Sequence, residues 1–235
     1  MKLLYEDNEI AVFSNYEYDK EFLERLSDYY KKRKNKIINF FKLLDFRKTN
    51  IYLYSTREEY VEYMKNNNIY VSSYGIGRCL NGDIHYVITE NDLKEFQKVG
   101  YKIASIVHEL VHLIYYEKIN QERCILIDEG LAHLLSGQKS LLENNNEKYE
   151  KWLQEKIYSK ELPKFEYLIE HGDFYGKFVD TKTERYNGYD IGYAFVRYII
   201  DTYNEDEKRK VLIEQDIVEV EKYYNDFKEY IESKR

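Results

Sequence analysis

The spacing of apolar residues changes several times along the chain, and each change predicts an element. "EIAVF" at 9–13 and "NIYLYS" at 50–55 are short β-branched and aromatic runs, which predict two strands. Between them Phe22, Leu26, Ile37, Phe40, Phe41 and Leu44 recur at helical spacing behind Asp19, a residue type that caps helices. Thr56 followed by Glu59 predicts a capping box and a second helix, which "NNN" at 66–68 stops. "IYVSSYG" reads as extended and leads into a glycine-punctuated loop, after which "IHYVIT" at 84–89 is the next strand. From Asp92 to Lys118 the spacing is helical, with Gly100 as a break. Every later element predicted is a helix: 126–137, 147–158, 164–171, 188–203 and 219–233.

This order predicts an α+β fold, with a strand-containing N-terminal lobe over 1–120 packed on a mainly helical C-terminal lobe over 121–235. Lobes meeting near residue 120 would place 105–130 at their junction, where pockets tend to form. Composition sharpens the picture only in places. A chain of 235 residues, 43% of them apolar, can bury a substantial core without disulfides. Its net charge of −7, with both signs interspersed, reserves no basic face for phosphate, so nucleic acid is not an expected partner. There is no apolar run of about 18 residues to span a membrane. "MKLLYEDNEIAVF" is broken by Glu6, Asp7, Asn8 and Glu9 and does not read as a signal peptide, so the expected location is cytoplasmic. Cys79 and Cys124 are too isolated for a disulfide framework or a CxxC metal site and are expected as reduced thiols.

The candidate chemistry lies in "SIVHELVHLIYYE" at 105–117. Residues i and i+4 of a helix sit about 40° apart around its axis, so His108 and His112 project from one face and can hold one ion. Glu109, offset by about 100°, stands beside that ion rather than on it. In an HExxH helix two imidazoles bind Zn2+ and the glutamate acts as general base on water. Ile103, Ile106, Val107, Leu110, Leu113 and Ile114 cover the far side, which predicts a buried helix.

Catalytic zinc takes three protein ligands and leaves a fourth position to water. "LIDEGLAHLLSG" follows, with Glu129 near the start of the next predicted helix, seventeen residues after His112. Glu129, Ala132, His133 and Ser136 share one stripe, while Gly130 and Ala132 would let this helix approach the first closely. Glu129 is the candidate third ligand.

"HELVH" followed by "DEGLAHLLSG" resembles the gluzincin metallopeptidases, and "GYDIGYAFVRYI" at 188–199 is similar to the Y-x-x-G helix of their aminopeptidase-N-like branch and its small bacterial relatives. The likeness runs over roughly residues 80–205. It implies a zincin-like fold, Zn2+ held by His108, His112 and Glu129, and peptide hydrolysis in which Glu109 takes a proton from water and gives it to the leaving amine. It further implies that Tyr189 hydrogen-bonds the developing oxyanion, with Tyr193 one turn on and Tyr186 before it in the loop. By the same analogy "DIHYVIT" would be the edge strand on which a peptide or protein substrate is laid.

Two departures qualify the likeness. Many gluzincins have an acidic residue four after the glutamate ligand to orient a histidine; this chain has His133, open to a role behind the ligands, to substrate contact, or to a satisfied place in the core. The G-x-M-E-N-type segment that captures a free amine is missing from "YGIGRC" and "NGDIHY", although Asp83 lies nearby, so the choice between endo- and exopeptidase stays open. The alternative reading is a zinc-binding module of the same fold that binds a peptide or protein partner without hydrolysing it.

Overall fold

The computed structural model describes residues 1–71, 75–119, 124–158, 162–169 and 188–235. They form two compact units, Met1–Ile114 and Tyr115–Arg235.

The first unit opens with a hairpin of β1 (Lys2–Glu6) and β2 (Ile10–Ser14). Its turn is closed by Asp7, whose Oδ1 accepts from the backbone N–H of Glu9 at 2.7 Å and of Ile10 at 3.0 Å. The long helix α1 (Lys20–Phe40) starts where the sequence predicts, with the Asp19 carboxylate accepting from Phe22 N at 2.7 Å. It crosses over to β3 (Thr49–Tyr54), which therefore pairs parallel to β2. At α2 (Arg57–Asn66) the Thr56 hydroxyl accepts from Glu59 N at 3.2 Å, but the Glu59 carboxylate accepts from Ser55 Oγ, so only half of the expected box forms.

Strands β4 (Gly77–Leu80) and β5 (Asp83–Val87) complete a sheet of order β1-β2-β3-β5-β4. Residues 77–80, expected as loop, are a strand. The cause is the two-residue turn Asn81-Gly82, with φ of 52° and 83°, which joins antiparallel strands at the pair Leu80–Asp83. The expected edge strand over 83–89 is thereby corrected: β5 lies between β3 and β4, and β4 is the terminal strand. Ile10, Val12, Ile51, Leu53 and Ile84 of the three interior strands are fully buried. After the short α3 (Glu90–Leu93) comes α4 (Phe96–Lys118). The expected break at Gly100 does not occur, because the interruption falls before Phe96 and Gly100 sits inside the helix with open space where a side chain would be.

The second unit is helical: α5 (Ile125–Ser136), α6 (Ser140–Glu143), α7 (Asn146–Leu153) running into a π-helical turn, α8 (Glu166–Ile169), α9 (Gly188–Thr202), α10 (Glu205–Arg209) and α11 (Ile217–Ser233). The start of α5 is fixed from afar, since Cys124 N donates to Gln215 Oε1 at 2.7 Å. Its end is set by Gly137 in the left-handed region at φ 78°. Gly130 of α5 meets Gly192 of α9 backbone to backbone: a Cβ on Gly130 would lie 2.3 Å from Gly192 O. The close approach that Gly130 permits is therefore to α9. Phe195, Tyr224 and Phe227 form the buried aromatic centre of this unit. The class is mixed α+β, as the pattern predicts. Among the described residues no helix is long and apolar enough to cross a membrane.

Candidate metal centre

Helix α4 delivers the pair of imidazoles that its spacing promises. The His108 and His112 rings have centroids 4.6 Å apart at 79° to each other, and their Nε2 atoms face each other at 2.9 Å. Two nitrogens bound tetrahedrally at zinc distances stand about 3.3 Å apart, so the pair is close to the bite of a shared ion. Ile106, Val107, Leu110, Val111 and Ile114 are buried around them, which fixes the helix rotation and so the direction of both rings.

Glu129, the fifth residue of α5, is 4% exposed. His108, His112 and Glu129 each offer a ligand atom, and these three atoms lie within 4.8 Å of one another. A buried carboxylate is costly unless a cation or hydrogen bonds compensate it. Two imidazoles and one carboxylate form a donor set suited to a borderline divalent ion and leave a position for water. The residues therefore fit the zinc ion expected from the sequence.

Glu109 lies on the side of α4 that faces β4 and β5. Its Oε1 would be 3.1 Å from a Cβ on Gly77, and Cys79 Sγ is 4.0 Å from its Oε2 and 2.9 Å from its main-chain oxygen. Tyr60 and Tyr86 are buried nearby. Burial pushes the Tyr60 phenol up to about 12, and the negative charge of Glu109 adds to the shift. Burial and the same carboxylate also raise Tyr86. Both phenols remain neutral hydrogen-bonding groups beside Glu109. The sequence reading missed this lining of Gly77, Cys79, Tyr60 and Tyr86. Its detectable signal was Asn81-Gly82, which makes 77–80 a strand and puts positions 77 and 79 on one face.

The remaining candidates divide. His133, one turn beyond Glu129, is 7% exposed and packs edge-on against Tyr189, with ring centroids 5.1 Å apart at 65°. Tyr193 is fully buried, packed edge-on against Trp152 at 5.6 Å and Tyr149 at 6.2 Å, and so sits in an aromatic cluster of its own unit. Tyr186 lies outside the described residues. The Asp83 carboxylate accepts from Asn50 Nδ2 at 3.1 Å. Burial pushes the Cys124 thiol up to about 11. Neither cysteine is in a disulfide.

No known family of proteins matches the chain, and no curated protein does.

Proposed function

We propose that the chain is a zinc-dependent peptidase of the gluzincin type with a zincin-like fold. One observation carries the reading: the ligand atoms of His108, His112 and Glu129 lie within 4.8 Å of one another, with the Glu109 carboxylate one residue from the first ligand. A zinc ion bound there supplies Lewis acidity, which lowers the pKa of water and polarises a peptide carbonyl. Glu109 takes the proton of the attacking water on its carboxylate and passes it to the departing amine nitrogen. Tyr189 donates its phenolic hydrogen to the developing oxyanion, its ring steadied by His133. Strand β4 is the surface for an extended peptide, since a terminal strand offers backbone groups in register and the carboxylate of Glu109 lies beside it.

The test is zinc content followed by turnover on a peptide library. About one zinc per chain is expected if His108, His112 and Glu129 hold it together. Glu109→Gln should keep the metal and lose hydrolysis. Protein purified without chelators that contains no zinc, and takes up none, would sink the site. Zinc-loaded protein that cleaves nothing would favour the binding-module reading.

A further inference from the structure

We propose that Cys79 is a positioning residue for Glu109, acting from β4 to hold the proton-carrying carboxylate in place. This rests on reading Glu109 as the proton carrier. The Glu109 carbonyl lies in the middle of α4, where the helix already provides an N–H donor from the next turn. A second donor, the Cys79 thiol at 2.9 Å, therefore serves no helix-forming purpose; it fixes the approach of β4 to the helix at residue 109. Gly77 and Cys79 are two apart on a strand and share a face. Between them they flank the carboxylate, with Oε1 over the bare Cα of Gly77 and Oε2 4.0 Å from the thiol. Tyr86, paired opposite Gly77, closes the arrangement: a Cβ at 77 would stand 2.4 Å from its ring. Only a residue without a side chain leaves room for both the ring and the carboxylate. With its one hydrogen given to the main-chain oxygen of residue 109, Cys79 pins β4 against the helix there, and its sulfur, 4.0 Å from Oε2, bounds the space into which the carboxylate could turn.

The experiment compares zinc-loaded wild type, Cys79→Ala and Cys79→Ser on one cleavable peptide. Cys79→Ala should bind zinc as the wild type does and keep KM within about twofold, while kcat falls about tenfold, as a small misplacement of a catalytic group does. Cys79→Ser, which restores a donor, should recover most of that loss. Equal losses in the two variants, or none in Cys79→Ala, would overturn the proposal. A crystal structure of zinc-loaded Cys79→Ala reads the same point without turnover, since the carboxylate should leave its place between residues 77 and 79. If the wild type hydrolyses no peptide, the peptidase reading fails, and the carboxylate position in that crystal structure alone decides for or against Cys79.

Discussion

Gly130 and Gly192 touch through their backbones: a Cβ added to Gly130 would stand 2.3 Å from Gly192 O and 2.6 Å from Gly192 C. Glu129 is the preceding residue, so the closeness of α5 to α9 sets where that carboxylate lies. Gly130→Ala must force the two helices apart, because two of the three atoms it would meet are backbone atoms of Gly192, the third being a methyl of Val196. The expected cost is about 3 kcal/mol. Zinc affinity should fall with it, because Glu129 moves while the two histidines stay. Urea unfolding and a competitive zinc titration on the same protein check both points. Normal zinc affinity in a destabilised Gly130→Ala would show that this contact does not position Glu129.

If His108, His112 and Glu129 bind one ion, removing it must lower stability by mass action. Free zinc at about 100 times its Kd should add about 2.7 kcal/mol to the folded state. His112→Ala should abolish this gain, leaving a protein whose melting temperature is the same with and without zinc. Thermal melts of both proteins, with and without a chelator, give the answer. A variant that still gains stability from zinc would place the ion elsewhere.

Tyr189 permits a cleaner substitution than the ligands do. Tyr189→Phe keeps the ring against His133 and removes only the hydroxyl, so stability should change by less than about 0.5 kcal/mol. Loss of one oxyanion donor should lower kcat by about a hundredfold. His133→Ala, by contrast, removes the ring that supports Tyr189 and should lower kcat less. Wild-type kcat in Tyr189→Phe would remove Tyr189 from the chemistry.

What could be read from the sequence follows from how local each cause is. The histidine pair needs only the 3.6-residue period of one helix, and Asp19 acts on the turn beside it, so both were visible. The third candidate ligand was visible too, because Glu129 stands in the first turns of a strongly apolar helix. Strand β4 was not, because "GRCL" has no alternation of its own and exists through its pairing with β5. The packing of Gly130 against Gly192 was not legible for a related reason: a glycine shows that something comes close, but what comes close is a long-range fact. Tyr193 looked equivalent to Tyr189 on a helical stripe, yet Tyr149 and Trp152 enclose it, and neither shares its segment of sequence.

His85 sets an acid limit on stability. It is 2% exposed, stacked between Tyr52 at 4.8 Å and Tyr63 at 5.0 Å, and its Nδ1 is 2.8 Å from the Tyr54 hydroxyl. Burial lowers its pKa from 6.5 to about 4, because the charged ring would lose its hydration. Between those two values the unfolded chain binds a proton that the folded chain refuses, so folding stability rises with pH across the interval. The contribution is complete above about pH 6.5 and is lost as pH falls toward 4. At pH 4.5 the loss should be about 2–3 kcal/mol relative to pH 7.5. Carboxylates such as Asp7 also titrate in acid. Burial opposes ionisation of Asp7, but the Ser27 hydroxyl, the Glu9 and Ile10 N–H groups and Lys31 outweigh it and hold the pKa below the usual range. The comparison is therefore made against His85→Phe, which keeps the stack and cannot be protonated. Unfolding in urea at the two pH values should show the wild type losing about 2–3 kcal/mol more than the variant. Equal losses in the two proteins would mean that His85 accepts its proton without cost in the folded state.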